Sequence, residues 1–130
     1  MTIDLLDNAG EKTIIFDGAM GTMLMAAGLK SGEVPELWNI EYPDLVMDIH
    51  RQYYEAGSDV VQTNTFGANP IKLADRGLLE RTEAINLAAA DIARRACPSG
   101  RLVAGDIGPT GKMLKPLGEV SPEEMEECFF

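Results

Sequence analysis

Asp59-Val60-Val61-Gln62-Thr63-Asn64-Thr65-Phe66-Gly67 is a short apolar run that ends abruptly in polar side chains with a glycine close behind. Thr13-Ile14-Ile15-Phe16-Asp17-Gly18 and Leu102-Val103-Ala104-Gly105-Asp106-Ile107-Gly108 share the design. A strand covered on both faces needs apolar residues on both, so it reads as a continuous run and not as an alternation. Glycine lets the chain turn tightly where the strand leaves the sheet. In parallel α/β folds ligands sit at these carboxyl ends. The repeated polar endings therefore predict one shared rim.

Between the runs lie helical patterns. Ala19 to Leu29 predicts a helix with Met20, Met23, Leu24 and Ala27 on one face and Gly28 as its stop; Met20 and Met23 read mainly as core packing. Lys30 to Glu41, with Gly32, Pro35 and the lone Trp38, reads as a long ordered loop. Pro43 opens a second helix whose buried stripe is Val46, Ile49, Tyr53 and Ala56, ended by Gly57. His50 falls between Ile49 and Arg51 and reads as a helix-surface side chain. A short helix is expected around Ile71 to Asp75. A long one follows from about Leu79 to Ala96, with Ile85, Ala88, Ala89, Ile92 and Ala96 inward and Pro98 as terminator. Strands alternating with helices mean a barrel or a doubly wound sheet.

The bulk properties fit one domain. The chain has 130 residues, 45% hydrophobic and 25% charged, an ordinary balance for a globular domain. A formal charge of −10 argues against sequence-independent nucleic-acid binding. Glu119, Glu123, Glu124, Glu126 and Glu127 read as a solvated helix face. Met1 to Lys12 lacks the basic and apolar regions of a signal peptide, and no apolar run approaches the roughly 20 residues of a membrane span. A chain with only two cysteines fits a reducing compartment, so a cytoplasmic location is expected. Ser121-Pro122-Glu123-Glu124 is a helix start with a capping box, yet the sequence stops at Phe129-Phe130, which reads as truncation of a longer protein.

Asp17-Gly18-Ala19-Met20-Gly21-Thr22 carries the most specific chemistry. An aspartate beside a glycine turn that feeds a helix places a cation site next to free N–H groups that attract an anion. That pair suits an α-amino acid zwitterion; alternatively Asp17 only caps the helix. Thr63, Asn64, Thr65 and Phe66 could position a ligand or satisfy neighbouring backbone. The glycines of Gly105-Asp106-Ile107-Gly108-Pro109-Thr110-Gly111 could admit a ligand or simply make a turn. Neither a G-x-G-x-x-G fingerprint nor a P-loop is present. Cys97 and Cys128 stand about thirty residues apart with no Cys or His at zinc spacing, and read as ordinary thiols.

Together these motifs resemble the homocysteine S-methyltransferase family, most closely its cobalamin-dependent methionine synthase branch. The likeness rests on Phe16 to Thr22, Glu36-Leu37-Trp38-Asn39, Gly57 to Val60 running into Gln62 to Ala68, Ala93 to Ala96, Gly105 to Gly111 and Pro116-Leu117-Gly118, in the family's order. The resemblance implies a (β/α)8 TIM barrel, of which residues 1–130 would be the N-terminal portion, about three βα units of a homocysteine-binding domain truncated at its C-terminus. It implies that Asp17 holds the substrate ammonium and that the turn around Gly18, Gly21 and Thr22 receives the carboxylate. Thr63 and Phe66 would line the pocket, with Asn39 and Asn64 as further candidates. It also implies a zinc-bound homocysteine thiolate that accepts a methyl group from methylcobalamin, with cobalamin- and folate-binding modules elsewhere in the protein. The family's zinc cysteines are one single residue and a pair in a Gly-Gly-Cys-Cys-Gly motif; that pair does not occur here, and neither Cys97 nor Cys128 matches a ligand position. No catalytic or metal-ligating residue is therefore assigned within the chain, and the isolated polypeptide is expected to be inactive. Betaine or S-methylmethionine as donor, a corrinoid-dependent demethylating relative, and a non-catalytic amino-acid-binding or assembly module are the alternatives. Open strand edges would favour oligomerisation or aggregation.

Overall fold

The computed structural model describes residue 10 and residues 12–130, so the reading of the polar start lies largely outside the described residues. In chain order the elements are helix α1 (Met20–Ala26), a 3₁₀ turn (Pro35–Leu37), α2 (Trp38–Glu41) and α3 (Pro43–Glu55). Strand β1 (Val60–Gln62), α4 (Pro70–Ala74), a second 3₁₀ turn (Leu79–Arg81), α5 (Thr82–Ala96), β2 (Leu102–Ala104) and α6 (Pro122–Glu127) follow. The stretch from Lys30 to Glu41 is thus not a plain loop: Pro35 starts a 3₁₀ turn that passes directly into α2.

β1 and β2 pair in parallel, Val60 with Leu102, Val61 with Val103 and Gln62 with Ala104. The first apolar run meets the opposite edge of β1 only as a single parallel bridge between Phe16 and Val60. Asp17 N–H donates to the Val60 carbonyl at 2.9 Å, and the Ile15 carbonyl accepts from Val60 N–H at 3.2 Å. The ladder goes no further because Ile15 N–H donates to the Asp59 carboxylate at 3.1 Å instead of to a strand carbonyl. Expected as a strand, this run is a bridged edge segment. The three segments lie side by side in sequence order, with no reversal.

Val60 and Val61 are both buried, as a strand covered on two faces requires. α3 and α5 pack together, and Leu24, Trp38, Val46, Met47, Ile49, Ile92 and Ala96 form the main core, with Met20 and Met23 against it. α3 also contacts β1, so it is buried over a wider arc than one stripe. Val46, Met47, Ile49, His50 and Tyr54 are its buried residues, whereas Tyr53 is half-buried and Ala56 exposed. His50, expected on the surface, is 0% exposed. α5 follows its periodicity, with Ile85, Ala89, Ile92, Ala93 and Ala96 buried. Gly28 and Gly57, at φ 115° and 114°, end α1 and α3 in a conformation that L side chains rarely adopt. Ser121 forms the foreseen capping box with Glu124, and the glutamates of α6 are exposed. Among the described residues no helix is long and apolar enough to cross a membrane.

Candidate functional site

The three polar endings converge on a cavity of about 300 Å³. Its lining includes Asp17, Gly18, Gly21, Glu36, Thr63, Asn64, Phe66 and Asp106, together with Gln62 and Thr65. Six of the eight residues singled out from the sequence are therefore brought together. Thr22, exposed on α1, and Asn39, buried behind the wall, do not line it. A larger cleft of about 550 Å³ lies away from the strand ends, between α1 and residues 30–42. Its rim mixes Lys30 and Arg76 with Glu33 and Glu41, and the three endings do not reach it.

Asp17 is not a helix cap. The N-cap of α1 is Ala19, with no side-chain hydrogen bond. The Asp17 carboxylate instead accepts from Gln62, backbone N–H at 3.0 Å and side-chain amide at 3.2 Å, which fixes it at the end of β1. Tyr53 Oη donates to the Ala19 carbonyl at 3.1 Å, bracing the glycine turn. A Cβ on Gly18 would lie 3.0 Å from that hydroxyl, whereas a Cβ on Gly21 would meet nothing within 4 Å. Gly18 is thus closely confined by Tyr53, and Gly21 leaves open space at the cavity.

The hydroxyls of the second ending are largely committed. Thr65 Oγ1 donates to the Asp106 carbonyl at 2.6 Å, so its 2.7 Å contact with Thr63 Oγ1 has Thr63 as donor. Asp106 N–H donates to Thr63 Oγ1 at 3.0 Å and closes the ring. Thr63 keeps one acceptor position for anything else. Asn39 and Asn64 interlock: the Asn39 amide donates to the Asn64 carbonyl at 2.8 Å. The Asn64 amide donates to Asn39 Oδ1 and to the Pro35 carbonyl, each at 2.9 Å. Both side chains are buried, and they hold the Pro35–Leu37 turn against the end of β1. The cavity wall itself is Phe66, half-exposed, with Lys72 Nζ 5.4 Å from its ring centroid.

Glu36, Gln62 and Asp106 were not singled out as site residues. Asp106 ends the third apolar run, so the strand pattern already marks its place. Glu36 opens the Glu36-Leu37-Trp38-Asn39 motif but carries no role there; it reaches the cavity because α2 and the turn before it fold over the strand ends. It is 6% exposed and its Oε1 accepts Gly67 N–H at 2.6 Å. No lysine, arginine or histidine is among the lining residues. The Asp106 carboxyl is held above its ordinary range by burial and then by the charge of Asp17; Tyr53 is raised for the same two reasons.

The donor set does not fit zinc. Among the described residues no three His, Cys, Asp or Glu side chains come together to hold a metal ion. Cys97 and Cys128 are separate, half-buried free thiols, one ending α5 and one following α6.

A small acidic pocket thus sits at the carboxyl ends of parallel segments of an α/β chain, and the comparisons give its family. The chain belongs to the homocysteine S-methyltransferase family, whose model matches residues 14–130. The methionine synthase of Mycobacterium tuberculosis is 39% identical over 138 aligned residues, which cover 97% of this chain and 12% of that protein. That of Mycobacterium leprae is 33% identical, covering 97% of this chain and 11% of that protein. The chain thus spans only about an eighth of these relatives. Among solved structures, the metallated form of the homocysteine methyltransferase MmuM from Escherichia coli matches with a TM-score of 0.68 at 34% identity, over 82% of this chain and 42% of that one. Its oxidized form matches with a TM-score of 0.65 at 34% identity, over 82% and 40% respectively.

Proposed function

We propose that this chain is the N-terminal portion, about three βα units, of a (β/α)8 homocysteine-binding barrel, and that its cavity receives the amino-acid head of homocysteine. One observation carries the reading: in a chain of this family, the cavity at the converging strand ends is lined by three carboxylates and no basic side chain. Such a lining favours a cation, here the substrate ammonium, with Asp17 as its main partner. The substrate carboxylate would lie at the open space beside Gly21, next to the Gly18 turn, where the first turn of α1 has no side-chain cap. Phe66 would pack the methylene chain.

The sulfur chemistry belongs to other parts of a longer, cytoplasmic protein. Zinc, when bound, favours the thiolate that attacks the methyl donor, and no residue described here is assigned to it. Methylcobalamin is the favoured donor because the curated relatives are methionine synthases. Folate- and cobalamin-binding modules would then be partners in the same polypeptide.

Calorimetric titration of L-homocysteine into the 130-residue chain tests the pocket. Asp17→Asn keeps an acceptor for Gln62 but removes the charge, and should weaken binding at least about tenfold, the loss of one charge-assisted hydrogen bond. Equal affinity in the two proteins would return Asp17 to a purely structural role at the end of β1.

A further inference from the structure

Glu36 is held more firmly than its one hydrogen bond requires. The 3₁₀ turn that carries it is fastened on both sides to Asn64, through the Pro35 carbonyl and through the Asn39 amide. Its Oε1 accepts from Gly67 N–H at 2.6 Å, and a Cβ at position 67 would lie 2.7 Å from that oxygen, so any larger residue there would displace the carboxylate. The residue is 6% exposed, and its carboxylate makes no ion pair among the described residues. A buried carboxylate without a cation is costly. The hydrogen bond to Gly67 does not require the charge, since a glutamine oxygen could also accept it, though more weakly. The second oxygen, Oε2, has no hydrogen-bond partner among the described residues and keeps some exposure; Glu36 lines the same cavity as Asp17, and also a neighbouring one that includes Lys72 and Arg76.

We propose that Glu36 is a specificity-determining residue of the pocket: its pinned carboxylate, with Asp17, selects ligands that carry an ammonium group. The role rests on the amino-acid reading of the cavity and names the second group that enforces it. A ligand ammonium would supply the direct ion-pair partner that Glu36 lacks among the described residues, and preorganisation by Asn39, Asn64 and Gly67 spares the cost of moving the carboxylate on binding. Ligands lacking the ammonium would leave Glu36 buried and unpaired, and so would be rejected.

Calorimetry with L-homocysteine and with 4-mercaptobutanoate, its analogue without the amino group, separates the roles. Glu36→Gln keeps the acceptor for Gly67 and removes the charge. It should weaken homocysteine about tenfold or more while leaving 4-mercaptobutanoate unchanged or tighter, with the thermal midpoint retained. Equal weakening of both ligands, or no change in homocysteine binding, would overturn the assignment. If Asp17→Asn weakens homocysteine and Glu36→Gln does not, the Glu36 role fails while the pocket stands. If the unmodified chain does not prefer homocysteine to the analogue, the pocket reading fails and the role of Glu36 falls with it.

Discussion

Replacing His50 by leucine should stabilise the protein. His50 is the chain's single histidine, sits in the middle of α3 and is completely buried. Neither Nδ1 nor Nε2 has a hydrogen-bond partner among the described residues. A neutral imidazole carries one donor and one acceptor, and an unsatisfied buried group costs about 1–3 kcal/mol. Leucine fills a similar volume with no polar atom, and a volume-conserving exchange costs less than about 1.5 kcal/mol in repacking. With both groups relieved and the repacking cost subtracted, the net expectation for His50→Leu is a gain of at least about 0.5 kcal/mol, at roughly 3–6 °C in midpoint per kcal/mol for a chain of this size. The pH dependence follows from the same burial. Burial holds the His50 pKa below its ordinary value, and the Asp17 carboxylate offsets this only in part. The unfolded chain takes up a proton near pH 6.5 that the folded chain refuses. Stability is therefore lost as pH falls from about 6.5 towards the folded pKa, and the leucine variant should lack that loss. Thermal unfolding followed by circular dichroism at pH 7.5 and 5.5 measures both effects. A variant less stable by more than about 1 kcal/mol, or one with the unmodified protein's slope between these pH values, would refute the reasoning.

Two glycine substitutions should part company. A Cβ at position 108 would press on the Phe66 carbonyl and lie 2.9 Å from Phe66 Cδ2, so Gly108→Ala should cost about 1–3 kcal/mol and disturb the cavity wall. Gly21→Ala meets nothing within 4 Å and lies inside α1; it should leave stability equal or raise it by about 0.5–1 kcal/mol while weakening homocysteine binding, as urea unfolding and calorimetry would show. At the far end of β1, Asp59 accepts from Ile15 N–H and pairs with Lys12 and Arg101. The Ile15 hydrogen bond first, then that from Lys12, holds its carboxyl below the usual range. Its stabilisation is present above the unfolded value near 3.9 and is lost as pH falls through the folded one; Asp59→Asn should be less stable at neutral pH and show a shallower acid limb below about pH 4, read by acid titration of the fluorescence of Trp38.

The elements were legible where the signal was local. Gly28 and Gly57 stop helices, Pro43 and Pro122 start them, and Ser121 with Glu124 caps one, each within about a turn of chain. The stripe of α3 was misplaced because periodicity describes a helix with one covered side, whereas this helix lies between α5 and β1. The first run fell short of a strand because the side chain of Asp59, forty-four residues away, takes the N–H that a ladder would use. At the site, the cassettes marked Asp17, Thr63 and Asp106 as neighbours, but not what their polar atoms do. Thr63, Asn39 and Asn64 are engaged in holding the walls together.

The sequence by itself determined a parallel α/β chain, most of its helices and its family. Continuous apolar runs and nearby glycines and prolines act over one strand or one turn, and ordered motifs survive as a linear pattern. Only the tertiary structure decided that His50 is interior, that Asn39 stands behind the pocket, and that Glu36 faces into it. Those outcomes depend on hydrogen bonds between residues 25 to 41 positions apart, such as Asn39 with Asn64, Glu36 with Gly67 and Thr65 with Asp106. No local propensity carries such pairings, because each exists only once the strand ends have been brought to one rim.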